Sequence, residues 1–318
     1  MVGTELTDIR ESRWCAPGRL LTGWLRYGVV GLGHGLSQIF FQTNILTGAL
    51  ILAAFVTQDW RMAVLVVLGA GASSVGGRLV GIPVADIRTG AQGFCGALVG
   101  AATFAVLGGQ WASYPIAVGG GLLCTPVTWA LVWVLGTGPL KQFGLPSTTA
   151  PFCLVATVVL VSTMGLHTHP PLGVVESNTQ AFFESLLTNI SQVVLVDSIW
   201  GGALILIGLF IAHWKVGVAA IIGSGVGSLC ALAMNASLQM TANGLSGYSG
   251  VLTAIAFATV FLKGRWEPWM FAVAGSAVTA VLTLVMDRIP GPTYTWPYIL
   301  TTWLGLILIY LVPQLRRR

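Results

Sequence analysis

The chain has 318 residues, of which 55% are hydrophobic and only 8% are charged, and its formal net charge is +5. Soluble domains usually carry about 25% charged residues, so this composition excludes a protein that is surrounded mainly by water. The apolar runs are long and continuous and do not alternate with polar residues, which predicts an all-α integral membrane protein rather than a β-barrel.

Residues 1–27 are predicted to form a polar N-terminal segment. The first twenty residues contain no apolar core of the kind found in secretory signals, so we expect this segment to lie in the cytoplasm. The basic residues of the whole chain lie mainly at the edges of apolar runs, which is typical of a membrane topology signal and not of a nucleic-acid-binding patch.

Ten apolar runs along the chain are candidates for membrane spans, since a crossing needs about 20 residues. They are 46–58, 61–80, 89–108, 112–135, 147–164, 199–213, 216–234, 244–262, 267–286 and 295–313. Two further short runs, 28–42 and 182–196, are interpreted as re-entrant half-helices. The predicted organisation is a first repeat over 28–164, an extracytoplasmic linker over 165–181, a second repeat over 182–313 and a basic tail over 314–318.

The two repeats are visible as an internal duplication. Residues 37–55 and 191–209 share Ser-Gln and the run Gly-Ala-Leu-Ile-Leu in register at an offset of 154. The segments "QGFCGALVG" and "GLSGYSGVL" match at the same offset of 154 over Gly, aromatic, Gly and Leu. A third pair, "PSTTAPFCL" and "PTYTWPYIL", matches at an offset of 146. Each repeat therefore supplies five spans and one half-helix.

An odd number of spans per repeat places the second repeat upside down relative to the first. With the N-terminus in the cytoplasm, this topology puts thirteen of the fifteen Lys and Arg residues on the cytoplasmic side, as the positive-inside rule requires. Only Arg61 and Arg288 fall outside. The inverted arrangement also predicts a permeation path at the repeat interface, lined by broken helices.

Polar residues that recur in both repeats are candidates for the lining of that path. The pairs are Gln38 with Gln192 and Thr149 with Thr295, and each threonine lies two residues before a proline that we expect to disturb its helix. Isolated Gln and Thr residues also join helices in membrane bundles, but this role does not require symmetric positions.

Aromatic and apolar residues accompany the polar pairs. Phe41 follows Gln38 by one helical turn and Leu195 follows Gln192 likewise, so each is expected on the same helical face as its glutamine. Phe94 and Tyr248 lie in glycine-rich segments that allow close backbone approach. An aromatic ring facing a path would form a flat slot.

The inferred path is almost without charge, which favours a small neutral solute over an ion. Only Asp197 and Glu184 lie near it, and neither is duplicated. Proton-coupled pumps usually carry buried acidic or histidine relays. An alternative that uses either acid, a proton- or cation-coupled transporter of a small neutral amide, remains open.

At this point the sequence resembles the urea transporter family, from about residue 30 to residue 313. The segment "LPSTTAPF" (145–152) is similar to the family signature Leu-Pro-x-x-Thr-x-Pro-Phe, and "GPTYTWPY" is its second copy. The segments "QGFCGALVG", "GLSGYSGVL" and "NILTGALIL" resemble further family motifs. The family's Asn after the aromatic is Cys95 and Ser249 here, and Leu195 stands where Phe is common.

The resemblance implies passive, channel-type transport of urea by a homotrimer with one pore per protomer. The implied location is the cell inner membrane, where the protein contacts membrane lipid. The resemblance implies neither an enzyme nor a cofactor. Gln38 and Gln192 would accept hydrogen bonds at the two mouths, and Thr149 and Thr295 would flank the centre. Phe41 with Phe94, and Leu195 with Tyr248, would form the two slots. Leu98 and Leu252 would narrow the path. The implied site residues are Gln38, Phe41, Phe94, Leu98, Thr149, Gln192, Leu195, Tyr248, Leu252 and Thr295.

Motifs for metals, redox chemistry or ATP are weak in this sequence. The five cysteines are scattered without a C-x-x-C pair and are interpreted as packing residues, and no phosphate-binding G-x-x-x-x-G-K-[ST] loop is present. An intramembrane enzyme with His167, His169 and Glu176 as metal ligands is a third hypothesis. A His-x-His in a proline-rich segment is, however, typical of an ordinary loop.

Overall fold

The computed structural model describes residues 17–167, 175, 177–289 and 291–310, and all regular structure in these ranges is helical. The predicted all-α class is therefore confirmed. Its α-helices, numbered α1 to α14 in chain order, are Pro17–Gln38, Ile45–Gln58, Trp60–Leu79, Val84–Arg88, Phe94–Leu107, Ser113–Gly136, Ala150–Ser162, Asn178–Gln192, Ile199–Ala212, Trp214–Ala233, Leu238–Ala242, Tyr248–Ile255, Glu267–Met286 and Trp296–Tyr310. Short 3₁₀ turns cover Gly138–Phe143 and Met164–Leu166, and a π-helical turn, Ala256–Phe261, continues α12.

Four of these helices, α3, α6, α10 and α13, are long and apolar enough to cross a membrane alone. Six more apolar helices have 10–17 residues and correspond to the remaining predicted spans. A helix of 14 residues is about 21 Å long, which is less than a hydrocarbon core of about 30 Å. The shorter helices therefore span only together with the irregular segments that adjoin them.

Helix bounds recur between the two parts of the chain. Adding 154 to the bounds of α2 and α3 gives the bounds of α9 and α10, and adding it to α5 gives Tyr248–Phe261, which is α12 with its π-helical turn. Backbone conformation recurs as well, because Phe41 has φ 61° and Leu195 has φ 63°. The duplicated sequence thus folds into duplicated local structure.

Equivalent helices α2 and α9 pack against each other in opposite directions. The hydroxyl of Thr47, near the start of α2, donates to the carbonyl of Gly208 near the end of α9, at 2.8 Å. The hydroxyl of Thr57, near the end of α2, donates to Ser198 at the start of α9, at 3.2 Å. An inverted repeat requires this antiparallel relation between equivalent helices.

Glycine permits backbone-to-backbone packing at the first helix pair of each part. A Cβ atom on Gly48 of α2 would overlap the carbonyl oxygen of Gly33 in α1. A Cβ atom on Gly202 of α9 would likewise overlap the carbonyl oxygen of Leu187 in α8, at the equivalent positions. Small residues at such contacts let helices approach closely in an apolar environment.

Several predicted bounds differ from the structure. The half-helix predicted over 28–42 is part of a 22-residue helix, α1, which begins at Pro17, where proline is favoured as a first helical residue. The helix predicted over 182–196 is α8, which begins at Asn178 inside the predicted linker. Residues 168–174 and 176 of the predicted linker lie outside the described residues, as do residues 1–16 and the predicted basic tail.

Candidate functional site

The polar amides after α1 lie in a break between two helices and not within a span. Helix α1 ends at Gln38, and α2 begins at Ile45 with the Asn44 side chain accepting from the Thr47 amide at 3.1 Å. The hydroxyl of Ser37 donates to the Gln42 carbonyl at 2.8 Å. These bonds satisfy backbone groups that a helix end leaves without partners, which a membrane environment makes necessary.

The same break is repeated between α8 and α9. Helix α8 ends at Gln192, and the Ser198 hydroxyl caps α9 by accepting from the Gly201 amide at 3.1 Å. The expectation that Phe41 and Leu195 share a helical face with the preceding glutamines is wrong. Both residues follow the helix end and adopt a left-handed backbone conformation, so a turn and not a helix sets their direction.

A cavity of about 470 Å³ brings together five of the predicted site residues. Four come from the first part of the chain and the fifth from α12, so the cavity lies where the two parts meet. Of the described residues that line it, none is Asp, Glu, Lys, Arg or His. The five predicted residues are Gln38, Phe41, Phe94, Thr149 and Leu252.

Two threonines from different parts of the chain meet beside this cavity. The hydroxyl oxygens of Thr149 and Thr295 lie 2.6 Å apart, and the residues are only 4% and 2% exposed. The thiol of Cys153 lies 3.1 Å from the Thr295 hydroxyl. The structure thus places equivalent hydroxyl groups in direct contact.

The prolines near these threonines start helices and do not break them. Thr149 is the residue before α7, and Pro151 lies in the first turn of that helix. Pro297 is the second residue of α14. A first-turn amide has no partner within its own helix, so proline is tolerated there at little cost. The expected disturbance of the helices by proline is therefore wrong.

Aromatic rings form one wall of the cavity. The ring of Phe41 meets Phe261 edge to face, with centroids 6.1 Å apart and planes at 79°. It meets Tyr298 in a similar way, at 6.2 Å and 63°. This arrangement is a favourable one for aromatic groups, and all three aromatic residues line the cavity, as does Phe94.

The Gln38 amide is oriented by the backbone. Its Nε2 group donates to the carbonyl of Thr89 at 3.2 Å. This bond uses the donor end of the amide and leaves Oε1 as an acceptor on a residue that lines the cavity. A fixed carbonyl oxygen suits a ligand that carries N–H donors.

The other five predicted residues do not line this cavity; they are Leu98, Gln192, Leu195, Tyr248 and Thr295. Gln192 and Leu98 are buried, and Leu195 is partly exposed. The hydroxyl of Tyr248 donates to the carbonyl of Tyr294, next to Thr295. The residue that the sequence prediction missed is Tyr298.

Tyr298 lines the cavity, is fully buried, and has a hydroxyl group without a hydrogen-bond partner among the described residues. In the duplicated motif it occupies the position of Phe152, at the 146 offset. The comparison of "TTAPF" with "YTWPY" contains the signal, because the second copy adds one oxygen where the first has none.

The acidic residues that the sequence placed near the path lie away from this cavity. Glu184 accepts from the Gln180 amide at 2.9 Å, and Asp197 is exposed within the break between α8 and α9. Of the suggested metal ligands, His167 lies near the carbonyl of Leu160, whereas His169 and Glu176 are outside the described residues.

An uncharged cavity between two similar sets of apolar helices is the arrangement of a membrane transport protein for a neutral solute. The family model described as "Urea transporter" matches residues 29–310. The chain therefore belongs to the urea transporter family, and it is a transporter and not an enzyme.

Curated relatives carry the name "Urea transporter 1". The rat protein is 26% identical over 304 residues, which cover 89% of this chain and 78% of the relative. The sheep protein is 27% identical over 295 residues, which cover 86% of this chain and 75% of the relative. The match to the family model, residues 29–310, includes both helix breaks.

Proposed function

We propose that the protein is a channel-type facilitator that lets urea cross the cell inner membrane passively, down its concentration gradient. The observation that carries this proposal is the match of residues 29–310 to the urea transporter family. The uncharged cavity lined by Gln38, Phe41 and Thr149 supports a neutral solute. Urea, a planar diamide with four N–H donors and one carbonyl acceptor, fits such a lining.

Hydrogen-bond acceptors along the path lower the cost of removing water from urea. The Gln38 amide oxygen accepts at one mouth, and the touching hydroxyls of Thr149 and Thr295 accept near the centre. A polar molecule that loses all its hydrogen bonds at once pays several kcal/mol (about 4–8 for transfer to a hydrocarbon). Exchanging bonds one at a time avoids that barrier.

The aromatic slot selects for a flat molecule. Phe41 and Phe94 face the cavity, and the Phe41 ring is held edge-on by Phe261 and Tyr298. Apolar walls offer no replacement for the hydration shell of an ion, so ions are rejected. Leu252 lines the same cavity and narrows the path.

The second mouth is proposed to be built from the equivalent residues of the other repeat. Gln192 ends α8 as Gln38 ends α1, and Leu195 occupies the same left-handed turn position as Phe41. Tyr248 completes that slot, and Leu98 narrows the path. Because Leu195 lacks a ring, this slot is wider and less strict toward thicker solutes than the first.

The membrane arrangement follows from the duplication. We place two inverted repeats, 28–164 and 182–313, around an axis near the contact of Thr149 with Thr295, with both termini in the cytoplasm. The antiparallel packing of α2 and α9 supports this placement. A homotrimer with one pore per protomer is the assembly that the family resemblance implies, and light scattering of the detergent-purified protein measures it.

Coupled transport of a small amide is not supported. The two acids that it would use, Asp197 and Glu184, do not line the described cavity. A relay would need an ionisable group in the path, and the described lining contains none.

The decisive experiment is stopped-flow light scattering of proteoliposomes that hold the purified protein. Vesicles are exposed to osmotic gradients of urea, thiourea, formamide, glycerol or an ammonium salt. We expect rapid urea flux, measurable flux of the planar analogues, and glycerol and ammonium flux equal to that of empty vesicles. Imposing a proton gradient should leave the urea rate unchanged.

Two results would contradict the proposal. Urea flux equal to that of empty vesicles, from protein that elutes as a single species, would exclude the urea pathway. Urea accumulation against its gradient when a proton gradient is imposed would favour the coupled mechanism instead.

A further inference from the structure

A second cavity, of about 310 Å³, lies beside the transport cavity. Phe41 and Val260 line both cavities, so a shared wall separates them. Its other walls differ sharply from the uncharged path, because they carry the basic residues His213, Lys215 and Arg265. The cavity therefore has a chemistry of its own.

The equivalent place in the first repeat explains the unusual charge. At an offset of 154, His213 and Lys215 correspond to Asp59 and Arg61. There, the Asp59 carboxylate forms an ion pair with the Arg61 guanidinium at 2.6 Å. It is the one ion pair found among the described residues. A Cβ atom on Gly109 would lie 2.6 Å from the Arg61 side chain, so that side chain is packed down against the loop.

In the second repeat, a histidine replaces the carboxylate while the local structure is kept. Asp59 accepts the Arg61 amide through its side chain at 2.8 Å, and His213 accepts the Lys215 amide through Nδ1 at 3.1 Å. Both residues thus cap the helix that follows. The cap is preserved but the negative charge is lost, so the Lys215 ammonium lacks the carboxylate that its counterpart has.

The carboxylate of Glu267, which lies close to the lining residue Gly264, already has hydrogen-bond partners. Its Oε2 atom accepts the backbone amides of Arg265 at 2.8 Å and Trp266 at 3.1 Å. Glu267 itself is not part of the described lining. The described lining of this cavity therefore includes two cationic residues and a histidine but no carboxylate. The Lys215 ammonium lies 5.8 Å from the centroid of the Trp214 ring.

A local departure from helical symmetry opens the space. The π-helical turn Ala256–Phe261 supplies Ala258, Thr259 and Val260 to the cavity wall. The equivalent stretch of the first repeat is regular α-helix up to Leu107. Single π-helical turns within helices commonly mark functional positions.

We propose that this cavity is a binding site for a phosphate-bearing anion, either the headgroup of an anionic phospholipid or free phosphate. Lys215 and Arg265 supply charge-assisted hydrogen bonds to phosphate oxygens, and the Gln42 amide adds a polar contact. Basic pockets between membrane helices on the cytoplasmic side bind such headgroups. Trp269 and Pro268 give the apolar surface on which a lipid glycerol backbone rests.

The test is thermal unfolding of the full-length protein in a neutral detergent. Sodium phosphate is titrated against sodium chloride at matched ionic strength, and short-chain phosphatidic acid is titrated against short-chain phosphatidylcholine. We expect a saturable rise in Tm with phosphatidic acid, with phosphate, or with both. A rise with the lipid alone identifies a headgroup as the source, and a rise with both identifies the phosphate group as sufficient.

Variants locate the effect. Lys215→Gln and Arg265→Gln should each weaken the apparent affinity about tenfold, the loss expected for one charge-assisted hydrogen bond. Lys215→Arg should retain binding. The matched control is Lys263→Gln, since Lys263 is exposed in the same loop as Arg265 but does not line the cavity.

The proposal is overturned if neither phosphate nor phosphatidic acid raises Tm more than its matched control in the wild-type protein. It is also overturned if Lys263→Gln weakens the response as much as Lys215→Gln does, because the effect would then be general surface charge. None of these measurements depends on urea flux, so the outcome is separate from that of the transport experiment.

Discussion

The hydroxyl oxygens of Thr149 and Thr295 lie 2.6 Å apart, although 146 positions separate the two residues in the chain. Each residue stands immediately before a short apolar helix, α7 or α14, in one of the two repeats. Their contact brings equivalent positions together, which is what an axis relating two repeats produces. It also places two oxygen atoms side by side next to the uncharged cavity.

The threonine pair yields the first prediction. Thr149→Val and Thr295→Val should each lower urea permeability by about two- to tenfold, because each removes one neutral hydrogen-bonding hydroxyl from the path. The double variant should lose less than the product of the two single effects, since the hydroxyls share one contact. Stopped-flow urea flux per protein measures both.

Thr157→Val is the control for that pair, because Thr157 lies on the same helix and its hydroxyl only donates to the Cys153 carbonyl, at 2.8 Å. Its urea permeability should match that of the wild type. Full additivity of Thr149→Val and Thr295→Val would mean that the two hydroxyls act at separate places.

Gln38→Leu should reduce urea permeability more strongly than Thr149→Val, by about tenfold or more. Leucine is similar in size but removes the acceptor that lies at the mouth of the cavity and the bond to Thr89. The protein should still elute as a single species with Tm close to the wild type.

The matched control is Gln58→Leu, since Gln58 ends α2 at an exposed position outside the cavity. If a well-folded Gln38→Leu protein transports urea at the wild-type rate, the assignment of Gln38 to the path is wrong.

Tyr298→Phe tests the residue that the sequence prediction missed. The Tyr298 hydroxyl is buried and has no partner among the described residues, so its removal should not destabilise the fold. Urea permeability should fall, because the change removes a polar group from a residue that lines the cavity and contacts Phe41. If the variant transports urea at the wild-type rate and has a higher Tm, the hydroxyl has no role in transport and only destabilises the fold as a buried polar group without a partner.

The helices and their duplication could largely be predicted from sequence, because long apolar runs and repeated motifs determine them directly. The helix ends could not. Phe41 was expected on the helical face of Gln38, but a left-handed turn at Phe41 ends the helix, and no periodicity encodes that conformation. Proline was misinterpreted in a similar way, since Pro151 was expected to disturb a helix but lies in the first turn of α7.

The site was predictable where it recurs and hidden where it does not. Gln38 and Thr149 each have a counterpart in the second repeat, and Gln38 and Thr149 themselves line the cavity. Tyr298 differs from its counterpart Phe152, so a search for identical polar residues in the two repeats passed over it, although it lines the same cavity. Which residues meet across the interface depends on the packing of the two repeats, and sequence offsets alone do not give it.

Helix packing gives a prediction about stability. Gly48→Ala should destabilise the protein by about 1–3 kcal/mol or prevent assembly, because the added Cβ overlaps the Gly33 carbonyl. Gly71→Ala in α3 should be neutral or slightly stabilising, since nothing lies within 4 Å of its added Cβ. Thermal unfolding in detergent compares them, and equal Tm values would argue against close contact of α1 with α2.

The last prediction concerns pH and the Asp59–Arg61 pair, which lies between α2 and α3. The side-chain hydrogen bond from Arg61 lowers the pKa of Asp59 below its ordinary value. A carboxyl group whose pKa is lower in the folded state contributes stability above its unfolded pKa, about 3.9, and loses it as pH falls through the folded value. Asp59→Asn keeps a capping oxygen for the Arg61 amide but removes the charge, so its Tm should lie slightly below the wild type at pH 7. The two Tm curves should converge between about pH 4 and the acid limit, and a constant gap down to pH 2 would mean that the ion pair is not the source of the difference.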